Sequence, residues 1–490
     1  MKKSLSKAGS GRLVKSLVFI FLLLGSDIMA QVKVYEEKLN LPTYLVDPPS
    51  KVPQFFNNQS TQGAANYIYP LAINDIISDR RVMADHHIVA LENEYIKVGI
   101  SPEIGGKVYY AIDKSNGHDF IYMNEQVKPG NISPIGAWVS GGIEWCVMHH
   151  HRPSGFLPIN YTTTESEGGK KTIWISETEP RHRVRWTIGV SAFPGKSYFE
   201  AEVKMVNQTP YTHSFLFWAN VATETNENFQ VFFPESVQFA TFHSKNSMTR
   251  FPFSTEVYNN YDFTKGVDVS WWKNSPNSNS FFAWDLKEDF MGGYDHGKNV
   301  GTVHVGDHNI TKGAKLWEWG SGPRGQATEG RLTETSGPYV EIMVGTYSDN
   351  QPDYSWLRPG EVKTWKQYWF PIRDIKGIKY ANLNGALNLE LKDNQVFVGY
   401  NSTQKFSKAR IIVKNGDKVL LQKDLEISPD KPFTQTLKVD ASVKRTDLYT
   451  EMINLENNQV LLSYQPKDYE KKPLPETVKN PEQPEKIKTV

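Results

Sequence analysis

The run Gly141-Gly142-Ile143-Glu144-Trp145-Cys146-Val147-Met148-His149-His150-His151-Arg152-Pro153 gathers a carboxylate, an indole, three imidazoles and a guanidinium behind a pair of glycines. Three of the chain's 12 histidines fall within it. Glutamate and histidine transfer protons, and an indole offers a flat apolar face, so the run holds the groups a sugar pocket needs. The glycines permit a sharp bend or a close approach of a ligand to the backbone. The plainer alternative is a hydrogen-bonded histidine cluster at a strand end.

A second constellation is Gly337-Pro338-Tyr339-Val340-Glu341-Ile342-Met343-Val344-Gly345. In an extended chain Val340, Ile342 and Val344 share one face and read as core, which turns Glu341 to the other face between Tyr339 and Met343. Inside a cleft its pKa rises and it can serve as acid or base; on an open face it is a surface carboxylate. In Lys315-Leu316-Trp317-Glu318-Trp319-Gly320 the two indoles and the ammonium share a face, giving either a stacking wall with a cation or a packed sheet surface. Asn220 supplies an amide and His304 an imidazole. The candidate catalytic residues are Glu341 and Glu144, assisted by His149, His150 or His151. The candidate sugar contacts are Trp145, Arg152, Lys315, Trp317, Trp319, Tyr339, Asn220 and His304.

Other chemistries find less support. His149 and His151 share a face if extended, and His304, Asp307 and His308 could add ligands. Neither Cys-x2-Cys nor His-Glu-x-x-His spacing occurs, so no cofactor is expected, with a divalent metal as the minor alternative. No Gly-x-Ser-x-Gly elbow anchors a serine triad, and Gly105-Gly106 does not lead into a helix as a phosphate loop would.

The elements that must position these groups are strands. Residues 86–92, 95–100 and 107–113 alternate with period two between Asn, Gly and Pro turns, and further alternating runs follow to residue 370. The pattern predicts an all-β chain, with a large antiparallel supersandwich over residues 76–376 and an extended segment, 31–75, packed on it. Shorter strands over 377–466 predict a small Ig-like sandwich, and the Pro-, Lys- and Glu-rich tail 467–490 predicts disorder. A basic start and the apolar run Leu17 to Leu24, followed by Ile28-Met29-Ala30, read as a signal peptide over 1–30 cut after Ala30. That implies a periplasmic or secreted protein with no transmembrane segment in its mature form, and the lone Cys146 excludes an internal disulfide. Across 490 residues, 55 Lys and Arg balance 54 Asp and Glu, so no basic field exists to hold nucleic acid. With 13 Trp and 23 Tyr the aromatic content suits a carbohydrate partner.

The chain resembles the DUF5107 family of secreted Bacteroidetes proteins, in the galactose mutarotase-like superfamily. The matching stretches are Leu91 to Tyr95, Pro102 to Gly106, Ser140 to Trp145, His150 to Pro153, Trp218 to Ala222, Lys315 with Trp317 to Gly320, and Gly337-Pro338-Tyr339 with Glu341 and Gly345. They run in order across about residues 35 to 376. The resemblance implies a twisted supersandwich whose concave face binds carbohydrate. In the superfamily's epimerases a late-strand Glu takes the anomeric hydroxyl proton and a His protonates the ring oxygen. Glu341 matches that base, and one of His149 to His151 stands in for the acid. This chain has Lys107 where Gly-Gly-Arg is frequent, and Cys146 where an Asn commonly follows Glu-Trp. Longer relatives continue into tetratricopeptide repeats.

Together these readings predict a glycoside hydrolase-like protein of polysaccharide degradation. Glu144 and Glu341 would be its carboxylate pair, and the basic residues would favour an acidic oligo- or polysaccharide. The alternatives are an aldose epimerase-like enzyme, which needs one Glu and one His, and a non-catalytic glycan-binding protein.

Overall fold

Antiparallel pairing organises the whole chain. The computed structural model describes residues 31–49, 51, 54–55, 68–69, 74–131, 136–148, 151–180 and 182–478. The expected signal peptide, His149, His150 and the end of the tail (479–490) lie outside the described residues. The strands that matter for the site are β1 (Lys107–Asp113), β2 (Ile143–Cys146), β3 (Phe217–Glu224), β4 (Asn279–Ala283), β5 (Gly313–Glu318) and β6 (Tyr339–Thr346). Their order across one 12-stranded sheet is β1-β2-β3-β6-β5-β4. A long ribbon, Lys33–Val46 paired with Ile77–Glu92, forms one edge of that sheet, and Met248–Arg250 forms the other. A second sheet of 8 strands packs against it, among them Phe199–Val206, Val300–Val305 and Val362–Arg373. The described residues contain one α-helix, α1 (Pro323–Thr333), between β5 and β6.

Period-two alternation decides which side chains fill the space between the sheets. From the first sheet come Ile143, Trp145, Phe217, Val221, Leu316, Val340, Ile342 and Val344; from the second come Ile173, Ile188, Val203, Trp365 and Trp369. Each such side chain stabilises the fold by about 1.5–3 kcal/mol on burial. The alternate positions on the first sheet face away from this core, and there the polar groups collect.

A separate pair of four-stranded sheets spans Tyr380–Asn382 to Gln459–Tyr464, around its own core of Leu387, Val398, Ile411 and Met452. Glu235 of the main domain anchors it, through Lys379 at 2.9 Å and through Arg445 and Tyr464. Residues 467–478 depart from the expected disorder. They run extended along the main domain: Gln238 donates to the Glu470 carbonyl at 3.0 Å, and the Val478 amide donates to the Lys245 carbonyl at 2.8 Å. Pro473 and Pro475 lie beside Phe239 and Trp284, where stiff, proline-restricted backbone loses little further entropy on docking. Among the described residues no helix is long and apolar enough to cross a membrane.

Candidate functional site

Six strands deliver one polar face. β1 contributes Lys107, β2 Glu144 and Cys146, and β3 Trp218 and Asn220. β6 contributes Tyr339, Glu341 and Met343, β5 Lys315 and Trp317, and β4 Ser280 and Phe282. Register fixes the neighbours: Glu144 lies opposite Asn220, Cys146 opposite Trp218, Trp317 opposite Glu341 and Lys315 opposite Phe282. At Gly142 the backbone is left-handed (φ 65°), and a Cβ there would stand 2.0 Å from the Val108 carbonyl oxygen. Only glycine lets β2 enter the sheet this close to β1.

Glu144 is buried and fully engaged. Trp138 Nε1 donates to Oε2 at 2.9 Å, His151 Nδ1 lies 2.9 Å from both carboxylate oxygens, and Asn220 Nδ2 approaches Oε2 at 3.4 Å. Burial alone would raise its pKa; the His151 charge and hydrogen bond, the Lys107 ammonium and the Trp138 donor outweigh that and hold it at about 2. His151 Nδ1 also lies 3.9 Å from Cys146 Sγ. The donor atoms of Glu144, Cys146 and His151 all fall within 4.8 Å of one another.

Glu341 is the opposite case. It is 7% exposed, and no described residue donates a hydrogen bond to it or pairs with it as an ion. Burial raises its pKa to about 7; Lys315 opposes the rise, and Glu144 adds to it. Two buried lysines flank this carboxyl. Lys107 Nζ donates to the Val139 carbonyl at 2.7 Å, and Lys315 Nζ lies 3.3 Å from His243 Nε2 and 4.6 Å from the Phe282 ring centroid. Burial lowers both to about 8 against the pull of nearby acidic groups. His243 Nδ1 contacts Ser280 Oγ at 2.8 Å, and burial with the Lys315 charge holds this imidazole neutral, its pKa well below the ordinary value. Trp317 and Trp319, both half-buried, meet edge to face at 4.5 Å.

The structure therefore brings Glu144, His151, Asn220, Lys315, Trp317, Trp319 and Glu341 to one face, and it separates others from it. Trp145 is one residue out of phase with Glu144: it points into the core, donates to the Gly106 carbonyl at 3.1 Å and meets Trp369 edge to face, so it has no face to offer a sugar. Arg152 is spent as an internal clamp. It donates to the Trp145 carbonyl at 3.1 Å, Ser154 at 3.1 Å, Glu177 at 3.2 Å and the Gly105 carbonyl, and lies over the Trp186 ring. His304 belongs to the second sheet and packs in the core on Trp369, where burial lowers its pKa to about 3. Tyr339 is on the right face but completely buried, stacked on Tyr122 at 5.3 Å with its hydroxyl accepting from Trp319 Nε1.

Sequence reasoning missed Lys107, Trp138 and His243 as site residues. Lys107 carried a signal, a cation opening a strand directly after Gly105-Gly106 and ahead of Val108-Tyr109-Tyr110-Ala111-Ile112. His243 carried none: it sits in a short turn (His243–Lys245) after Phe239–Thr241. A cavity of about 660 Å³ lined by Phe232, Phe251, Glu235 and Arg445 lies at the junction of the two domains and includes none of these groups.

The family model described as a domain of unknown function, DUF5107, matches residues 64–372, more than half of the chain. The chain belongs to the DUF5107 family. A second model, the second domain of YphG-like proteins, matches residues 380–464. Among solved structures, a TPR-domain containing protein from Parabacteroides distasonis is 23% identical with a TM-score of 0.61, the match covering 72% of this chain and 58% of that one. The DUF5107 chain thus spans little more than half of that protein's length. It is also similar to a putative aldose 1-epimerase from Klebsiella pneumoniae (11% identity, TM-score 0.43, 70% and 92% covered). A galactose mutarotase-like protein from Clostridium acetobutylicum gives 12% identity and a TM-score of 0.41, with 59% and 96% covered.

Proposed function

We propose that this DUF5107 protein is a carbohydrate-active enzyme working at the anomeric carbon of a sugar, in the manner of an aldose epimerase, with Glu341 as the proton-transfer group. The observation that carries the reading is the isolation of Glu341: a buried carboxyl, free of hydrogen bonds from described residues and shifted to about 7, gives and takes a proton near neutral pH. Deprotonated, it removes the anomeric hydroxyl proton; His151, steered through Nδ1 by Glu144, is the acid at the ring oxygen. Trp317 and Trp319 stack the ring. Lys107 and Lys315, buried without a carboxylate within ion-pair distance among the described residues, support an acidic sugar as substrate.

Hydrolysis of oligo- or polysaccharides is the second reading, favoured by the wide split between the two carboxyl pKa values, about 7 and about 2, which suits an acid and an ionised partner. Against it, the Glu144 oxygens already accept from three donors. Export to the periplasm or beyond fits either reading. One experiment separates them: anomer exchange of free neutral sugars and uronic acids followed by NMR, beside mass spectrometry of products from polysaccharides, each repeated with Glu341→Gln. Exchange abolished by Glu341→Gln supports the epimerase. Smaller saccharides abolished by the same change support the hydrolase. Sugar binding with neither reaction leaves a glycan-binding protein.

A further inference from the structure

Cys146 is the only cysteine of the chain, and its position is what alternation dictates: two residues after Glu144, on the same face, with His151 close to both. On one side the thiol packs against Leu216, Trp218, Phe282 and Met343. On the other it meets a carboxylate and an imidazole. Nδ1 of His151 is 2.9 Å from Glu144 Oε1 and 3.9 Å from Cys146 Sγ. Around a tetrahedral ion with bonds of about 2.0–2.3 Å, ligand atoms stand about 3.3–3.7 Å apart, so small rotations bring all three donors into place.

One further observation points to something held here. Asn220 is 3% exposed and lies against Glu144, yet its Oδ1 is buried with no hydrogen-bond partner. Buried polar atoms are nearly always satisfied, and an ion carrying a water molecule would offer a partner to this oxygen.

We propose that Glu144, Cys146 and His151 form a binding site for a single divalent transition-metal ion of the zinc class. The donor set selects the ion: thiolate and imidazole suit Zn²⁺ or Co²⁺ and not Mg²⁺ or Ca²⁺, which take oxygen ligands. Three protein ligands leave a fourth position open, the arrangement of sites where an exchangeable molecule binds. The entering dication takes the place in front of Nδ1 of His151 and displaces the thiol proton of Cys146, which leaves to solvent.

Cobalt is the probe, because a thiolate bound to Co²⁺ gives a near-ultraviolet charge-transfer band and Cys146 is the only thiol that can produce it. Titrating the purified, metal-stripped chain should produce that band, with visible bands of four-coordinate cobalt, saturating at one ion per chain and displaced by Zn²⁺. Cys146→Ser should abolish the charge-transfer band and weaken Zn²⁺ binding at least tenfold. His151→Ala should weaken binding by a similar factor. X-ray absorption of the zinc-loaded wild-type chain gives an independent reading that needs no variant: one sulfur neighbour per zinc is expected. Absence of the cobalt–thiolate band, or a zinc shell of nitrogen and oxygen alone, overturns the site. With an ion on Nδ1, His151 keeps only Nε2 to face a sugar and is oriented by the ion in place of its hydrogen bond to Glu144; no sugar enters these measurements, so their outcome is read separately from the proposed reaction.

Discussion

Two buried glutamates of this molecule sit among lysines and end in opposite states. On the face of the second sheet turned away from the core, Glu200 accepts from Lys170 at 2.6 Å and Tyr368 at 2.8 Å, and pairs with Lys366 at 3.1 Å. Burial would raise its pKa, but these partners outweigh burial and lower it. On the site face Glu341 has Lys315 nearby in electrostatic range, yet no described donor reaches it, and its pKa goes up. What separates a structural carboxylate from one poised to react is not the presence of cations but whether their donors are allowed to arrive. Lys315 is held off by its own surroundings, with His243 at its ammonium and Phe282 under it.

Exchanging each glutamate for glutamine tests that contrast most directly. Glu341→Gln should reduce turnover of the cognate sugar by about 10²–10⁴-fold, the range for loss of a positioned acid–base group, while the melting temperature stays level or rises. Glu200→Gln should do the reverse, lowering stability by about 2 kcal/mol in a denaturant titration, since its lysine partners are partly exposed and soften the loss, with turnover unchanged. Equal losses of activity from both would erase the distinction. Lys315→Met sharpens it further. Replacing a buried, unpaired ammonium with an apolar chain of similar length should stabilise the fold by about 1 kcal/mol or more, and should weaken acidic sugars more than neutral ones in a competition assay.

The smallest effect is in pH. Glu341 and Asp119, both raised to about 7, and Glu329, raised to about 8, keep protons in the folded state that the unfolded chain has lost. The stability they lend is full below about 4, the ordinary carboxylate range, and declines as pH climbs to about 8. Glu144 and Glu256, both lowered to about 2, lend stability above about 4.5 that disappears as pH falls toward 2. The imidazoles of His118 and His304, lowered by burial to about 4 and about 3, act the other way and lend stability that grows as pH rises toward 6.5. The carboxyl is therefore read by difference: the melting temperature of the wild type minus that of Glu341→Gln should fall from about pH 5 to 8, with turnover rising separately through about 7 as Glu341 ionises. A difference that stays flat across that range would contradict the raised carboxyl.

Much of this was legible in the residues themselves. The alternation of Val340, Ile342 and Val344 placed Glu341 on the far face, and the same period in residues 143–146 puts Glu144 and Cys146 together. Applied strictly, it also excludes Trp145, whose aromatic character beside an acid suggested a stacking role while its phase assigned it to the core. The assembly across strands was not legible. Lys107, Glu144, Asn220, Lys315 and Glu341 meet because β3 pairs with β6 and β2 with β1, and no local signal states which strands neighbour each other. His304 failed for that reason, being delivered to the second sheet. Arg152 was misread because its acceptors, the Gly105 and Trp145 carbonyls and Glu177, come from three other segments.

The extended segment after Tyr464 carries a practical consequence for anyone handling the protein. Lys471 and Lys472 are exposed, and six residues past them the Val478 amide is hydrogen-bonded beside Lys245, two positions from the His243 that contacts Lys315. A trace of trypsin-like protease in a preparation, cutting after Lys471, would detach that stretch without touching either sandwich. Mass spectra, not gels alone, should accompany every assay: a loss of about two kilodaltons would change what stands beside His243 at the candidate site while circular dichroism stayed the same.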